Sequence, residues 1–386
     1  MREGVGGMTM TEDTTKVVGR SQYDYVLLFL TFTLIGLGLL MIYSASAVVA
    51  DDRFTSDFYF LRRQLGFLAL GLLVMGVCQK IDYHVLRKLV YPILIGSLCL
   101  VALSYIPGFR SVASGAARWV KIGFIRFQPS EFAKLAIIIF MAYSLAKKGD
   151  RVRSFGVGVL PHLVVGGVVV LAVLGQKDLG GALVIASLIG ILMFVGGVKP
   201  SYLISLFLLS LPVLYFAVAS QSYRRKRILA FLDPWSDRYG SGFQIIQSLV
   251  SFQQGGVFGK GLGAGQQKLF YLPEAHTDFI GAVIGEELGL VGVILMVLLF
   301  VGFCCRGFQI AWNAPDLFGR YLALGLTSFV AIQAIGNLGV VMGMFPSKGM
   351  VLPFISYGGS ALVVFMAAVG ILLNVSKYKG SAPCMS

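Results

Sequence analysis

Ten runs of mostly apolar residues, each near the length of a bilayer-spanning helix, dominate the pattern of this chain. They fall at about 24–48, 62–79, 89–106, 129–146, 155–175, 179–197, 201–220, 279–303, 317–344 and 353–376. Roughly 20 apolar residues in helical form cross the hydrocarbon core. The runs are continuous and do not alternate residue by residue, so they predict helices, not the strands of a transmembrane barrel. The expected fold is all-α and polytopic, with about ten transmembrane helices forming a single domain over 24–376. Residues 1–23 are polar and lack the apolar centre of a cleavable signal, so they read as a cytoplasmic disordered tail, and 377–386 as a short cytoplasmic tail.

One segment breaks the pattern. Residues 221–278 hold no span and separate seven runs from three, and a connection this long is usually either functional or disordered. It opens with Arg224-Arg225-Lys226-Arg227, passes through Asp233-Pro234-Trp235 and ends in glycines at 255, 256, 259, 261, 263 and 265. Between them Phe243, Ile245, Ile246, Leu249 and Phe252 form the apolar side of an amphipathic helix, so a structured lid lying on the membrane is expected. The glycines make no phosphate-binding P-loop, because Gly259-Lys260 is followed by Gly261 where Ser or Thr is needed.

Composition sharpens the picture. With 57% hydrophobic and 13% charged residues, and a mean hydropathy of +0.82, no water-soluble core could hide the apolar surface. The net charge is +14, and basic residues normally gather in short cytoplasmic loops. The tight clusters Lys80/Arg87/Lys88 and Lys147/Lys148/Arg151/Arg153 therefore put the N-terminus inside. That leaves Arg110, Arg118, Lys121, Arg126 and Arg224–Arg227 on the outer face, a surplus suited to an anionic ligand or to lipid head groups. Scattered over short loops, these residues form no nucleic-acid-binding module. The five cysteines lack paired or metal-ligand spacing, so neither a disulfide framework nor zinc is expected.

An ionisable group within a span costs at least about 2.5–3.5 kcal/mol, so each calls for a reason. Glu131 and Lys134, three residues apart, share a helix face and can neutralise each other, whether as a packing pair or as part of a site. Arg118 and Trp119 stand just before that span. A guanidinium beside an indole suits a phosphate or sugar, while such a Trp also serves as an interfacial anchor. Lys177 and Asp178 occupy the short turn between the fifth and sixth runs, as a solvated turn or as part of the same face. The block from Tyr271 to Phe279 sets His276 and Asp278 at the mouth of the eighth run. There Asp278 is either a partly desolvated general base or the N-cap of the helix that follows. Glu286 and Glu287 lie deeper, so either the span begins near Leu288 or one of them faces a polar cavity. Gln333 and Asn337, one turn apart, read as helix–helix glue, and the stretch Phe345–Ser360 as a re-entrant turn lining a cavity.

Several of these segments occur together in a telling order: Met41–Ser46, Gly115–Trp119, Gln128–Lys134, Gln176–Gly180, Phe231–Trp235, Pro273–Gly289 and Lys348–Ser360. In this combination the chain resembles the SEDS family of peptidoglycan glycosyltransferases. It is more similar to the division-associated FtsW branch than to the elongation-associated RodA branch, with sporulation relatives close by. Lys177, Gly281 and Ala361 depart from the family pattern, in which Pro, an aromatic residue and Ser are usual. The resemblance implies polymerisation of lipid II into β-1,4 glycan strands outside the cytoplasmic membrane, with loss of undecaprenyl pyrophosphate. It casts Asp278 as the base that deprotonates the acceptor 4-hydroxyl. Arg118, Lys134 and a divalent cation, Mg or Mn, would stabilise the leaving pyrophosphate. Trp119, Glu131, Asp178, His276, Lys348 and Ser356 complete the implied substrate-binding set. A class B penicillin-binding transpeptidase and other divisome proteins are the implied partners, at the septum, with both termini cytoplasmic. A lipid II flippase and a non-catalytic scaffold that activates the transpeptidase are the competing readings.

Overall fold

A computed structural model describes residues 23–378 except 55, 114–115, 124, 241, 269–274 and 347–348. The helices, in chain order, are α1 Tyr25–Phe54, α2 Tyr59–Lys80, α3 His84–Lys88, α4 Val90–Leu103, α5 Pro129–Lys148, α6 Leu160–Gly175, α7 Leu179–Val195, α8 Pro200–Ala219, α9 Ser222–Leu232, α10 Phe243–Gly255, α11 Ile280–Trp312, α12 Leu317–Val341 and α13 Gly359–Lys377. Among the described residues eight helices are long and apolar enough to cross a membrane, and α4 and α7 are shorter apolar helices. Together they account for the ten runs, and the protein is a multi-pass membrane protein of all-α class.

Because every run is apolar all round, sequence alone does not say which helices form the centre. The structure does. α13, α5 and α12 are mostly enclosed, whereas α8 buries none of its apolar window and stands at the periphery. Small residues permit the close crossings that substitute for a hydrophobic driving force inside lipid. A Cβ on Gly370 of α13 would stand 2.5 Å from the Met75 carbonyl of α2, and one on Gly38 of α1 would stand 2.6 Å from that of Phe354. The latter contact wedges the non-helical stretch before α13 into the bundle, where Leu352, Phe354 and Ile355 are buried. The stretch expected to be re-entrant is therefore, where described, non-helical backbone enclosed by protein just before α13.

Between α4 and α5 the chain forms a small antiparallel sheet that the hydrophobic pattern did not predict: β1 Arg110–Ala113, β2 Ala116–Ile122 and β3 Ile125–Phe127, in the order β1-β2-β3. Ser111 pairs with Trp119 and Lys121 with Arg126. Such short strands, rich in arginine and lysine, carry too little apolar alternation to stand out.

α11 has 33 residues, about 50 Å of helix at 1.5 Å per residue, which exceeds the hydrocarbon thickness. It breaks at Gly289 (φ 66°, ψ −165°), a left-handed position natural to glycine. The amides freed there are taken up by the glycine-rich segment. Leu290 N donates to Gly256 O (2.9 Å) and Val291 N to Val257 O (3.2 Å), while Lys260 N and Gly261 N donate to the Glu286 and Glu287 carbonyls (3.0 Å each). Both glutamate side chains are fully enclosed. Glu286 accepts from Gln266 N (2.8 Å), Gln267 N (3.2 Å) and Lys260 Nζ (3.2 Å). Glu287 accepts from Lys268 Nζ (2.6 Å), Ser44 Oγ (2.7 Å) and Gly263 N (3.1 Å). Both carboxylates are satisfied by protein groups and not left open to a polar cavity, and Leu288 directly precedes the break at Gly289.

The long connection contains two helices, α9 and α10. In α10, Ile245, Ile246 and Ser248 are buried, and Ser248 Oγ donates to the Val341 carbonyl at the end of α12 (2.6 Å). The amphipathic helix therefore turns its apolar side toward the bundle.

Candidate active site

β2 delivers the first functional side chain. Alternation along a strand puts Arg118 on the same face as Val120, which is wholly buried, so that face looks into the bundle. Trp119 and Lys121 occupy the opposite face. Arg118 Nη2 donates to the Lys177 carbonyl (3.4 Å), and its Nε is buried with no acceptor among the described residues. Such an orphaned donor costs about 1–3 kcal/mol unless an acceptor reaches it.

The turn between α6 and α7 holds Lys177 at φ +62°, a left-handed conformation. Asp178 follows as the N-cap of α7: Oδ1 accepts from Gly181 N (2.9 Å), and Oδ2 from Ser130 Oγ (3.1 Å) and Gln128 Nε2 (3.3 Å). Its carboxylate ties α7 to the start of α5.

Asp278 does not hold the equivalent position on α11. The N-cap there is Phe279, and no side-chain hydrogen bond caps the helix. Instead the Asp278 carbonyl accepts from Asn337 Nδ2 (2.8 Å), which also donates to the Met350 carbonyl (2.5 Å). One amide of α12 thus pins both segments that border the site. A Cβ placed on Gly349 would lie 3.0 Å from Asp278 Oδ2 and 3.5 Å from Arg118 Nη1, so the acid and the guanidinium converge over this glycine. The His276 ring packs 4.6 Å from Phe60 and 5.7 Å from Tyr357, centroid to centroid, and its carbonyl accepts from Tyr357 N (3.0 Å).

Arg118, Lys177, Asp178 and Gly349 border a cavity of about 680 Å³. Leu183 and Val184 of α7, Leu211, Leu214 and Val218 of α8, and Val340 of α12 supply its apolar walls. Two further arginines at its polar end, Arg224 and Arg227 of α9, were visible in the sequence only as part of a basic run. Their i, i+3 spacing on a helix was the signal that could have singled them out. Burial holds the Arg227 guanidinium below its ordinary pKa; Tyr223 and Asp278 pull upward and Arg118 downward.

Other residues of the predicted set lie apart from this cavity. Glu131 and Lys134 form a buried ion pair (2.7 Å), with Gln333 Nε2 3.4 Å from Glu131 Oε2 and the ammonium 5.7 Å from the Phe329 ring. Neither lines the cavity. Ser356 Oγ accepts from Leu352 N (2.8 Å) and closes a turn. Lys348 lies outside the described residues.

The polytopic bundle thus holds a hollow that joins apolar walls to a cationic end bearing Asp178. The chain belongs to the SEDS family of FtsW, RodA and SpoVE, whose family model, described as "Cell cycle protein", matches residues 25–381. It is 49% identical over 362 residues to the probable peptidoglycan glycosyltransferase FtsW of Geobacter sulfurreducens, covering 94% of this chain and 97% of that one. It is 43% identical over 365 residues to the stage V sporulation protein E of Bacillus subtilis, covering 95% and 99%. Among solved structures it superposes on a chain of a peptidoglycan synthase complex with a TM-score of 0.78, at 33% identity over 93% of this chain and 99% of that one. Against the rod shape determining protein RodA of Thermus thermophilus the TM-score is 0.70, at 30% identity over 93% and 98%.

Proposed function

We propose that this protein is an FtsW-type peptidoglycan glycosyltransferase, which joins lipid II units into β-1,4 glycan strands and releases undecaprenyl pyrophosphate. The observation that carries this reading is the convergence of Asp278 and Arg118 over Gly349; Arg118 and Gly349 border the cavity, and Asp278 stands directly behind that glycine. The names of the relatives support the same activity.

In this reading the Asp278 carboxylate takes the proton from the acceptor GlcNAc 4-hydroxyl as that oxygen bonds to the donor MurNAc anomeric carbon. The bond from that carbon to the pyrophosphate oxygen breaks, with inversion, and its electron pair leaves with the pyrophosphate. Guanidinium groups already fixed at the site stabilise the growing charge without reorganising. Asn337 holds the Asp278 peptide in place, and Gly349 leaves room for the reacting atoms. The apolar walls would accommodate part of the polyprenyl chain. A Mg or Mn ion has no ready set of protein ligands here. No three His, Cys, Asp or Glu side chains converge among the described residues, and Asp178 already accepts three hydrogen bonds. Such an ion would come with the pyrophosphate and would supply Lewis-acid stabilisation of its charge, with Asp278 and Asp178 the acids of the site.

We place the Asp278 end of the bundle on the outer face of the cytoplasmic membrane, with both termini inside, and the protein at the division septum. Its partners in this reading are a class B penicillin-binding transpeptidase and other divisome proteins, a reading supported by likeness to a member of a peptidoglycan synthase complex. The test is glycan-strand formation from lipid II by the purified protein–transpeptidase complex. Asp278→Ala should abolish it while the complex stays assembled. Wild-type-like polymerisation by that variant would reject Asp278 as the base. Lipid II translocation in vesicles by a wild type that never polymerises would favour a flippase instead.

A further inference from the structure

The basic run at 224–227 divides in two once folded. Arg224 and Arg227 share one face of α9 and line the cavity, while Arg225 and Lys226 are exposed on its other side. Arg224 donates Nη1 to the Ala217 carbonyl in the last turn of α8, which fixes the start of α9 at the cavity rim. Arg227 sits over the Tyr223 ring, its guanidinium carbon 4.4 Å from the centroid, a cation–π contact that limits where the side chain can go. Arg118, with a buried and unmatched Nε, also faces this space. Arg118, Lys177, Arg224 and Arg227 set four positive charges here against the two carboxylates of Asp178 and Asp278, an excess that a further anion would balance. A planar fork also matches phosphoryl oxygens two at a time.

We propose that Arg227, backed by Arg224, is the α9 arm of a two-armed clamp that grips both phosphoryl groups of a polyprenyl diphosphate against Arg118, and so selects a diphosphate head over a monophosphate or an alcohol. This rests on the reading of the cavity as the site of a lipid-linked donor. α9 is then a specificity element of the long connection, and Arg227 reaches the ligand head group directly.

The test measures binding of farnesyl diphosphate, farnesyl monophosphate and farnesol to the purified full chain in detergent, without any turnover. The wild type should prefer diphosphate to alcohol by tenfold or more. Arg227→Gln should reduce that preference about tenfold, the scale of one charge-assisted hydrogen-bonded contact. Arg227→Lys, which keeps the charge but loses the fork, should fall between them. Arg225→Gln, on the exposed side, should match the wild type. An unchanged preference in a folded Arg227→Gln protein overturns the assignment of α9. So does an equal loss in Arg225→Gln, because it would reduce the effect to general surface charge. If Arg227→Gln fails to fold, Arg227→Lys decides: an intermediate preference supports the clamp and a wild-type one overturns it. A wild type that binds all three probes alike instead overturns the donor-site reading itself.

Discussion

Asp278 and the pair Glu286–Glu287 lie within nine residues of one another, yet the fold treats them in opposite ways. The glutamates are closed in by backbone amides, a serine and two lysines, with no side-chain surface left to solvent. Asp278 stands beside a hollow, its carboxylate meeting the Arg118 guanidinium over a glycine that offers no side chain to fill the gap. The first arrangement spends its charge on construction: two acids hold a glycine-rich segment against a break in α11. The second sets its charge beside Arg118 and Gly349, which themselves border the cavity. Inside a membrane bundle, then, an ionisable residue signals function when its partners border a cavity, and architecture when its partners enclose it.

The comparison can be broken by exchanging charge for shape. Asp278→Asn keeps the outline of the side chain, so thermal unfolding should be almost unchanged while polymerisation falls by about 10²–10⁴-fold, the usual range for a lost general base. Glu287→Gln should do the reverse. It leaves the Lys268 ammonium buried without a counter-charge and should destabilise the protein by about 3–5 kcal/mol, read as a lowered unfolding midpoint in detergent. Adding Lys268→Gln should recover much of that stability, whereas no second change of this kind should restore Asp278→Asn.

Glu131 and Lys134 test the boundary between the two classes. Their geometry is enclosed, like that of the glutamates, although the family resemblance assigns Lys134 to the pyrophosphate. Lys134→Met alone should destabilise by about 2–4 kcal/mol, and replacing both residues with leucine should restore the unfolding midpoint. A stable double variant that still polymerises would make the pair architectural, and one that does not would return Lys134 to the site.

The smallest effect is expected at the end of α2, among groups that are half exposed. Burial raises the Asp82 carboxyl, but hydrogen bonds from the His84 amide and ring outweigh it and hold its pKa below the ordinary value. A lowered folded-state pKa means stability that is complete above the ordinary carboxylate range, about 4, and is lost as pH falls through the lowered value. Asp82→Asn should therefore reduce the drop in unfolding midpoint between about pH 6 and about pH 3, with little change near neutrality.

Much of this molecule was legible residue by residue. The membrane spans follow from run length, because bilayer thickness imposes a local requirement on any crossing helix. The Glu131–Lys134 pair follows from helical spacing, and α10 from its apolar side. The family motifs drew attention to Asp278 before its surroundings were known. The sheet that carries Arg118 was not legible, because three short basic strands leave little periodic trace. Nor was the difference between Arg227 and its neighbour Lys226, which differ only in the side of α9 they occupy. Sequence alone determined that the chain crosses a membrane, where it crosses and which acids were expensive to place. Only the tertiary structure decided which of those acids would be enclosed and which would stand beside cavity-lining groups, because the partners that settle it come from β2, the α6–α7 turn, α9 and the segment before α13, far apart along the chain.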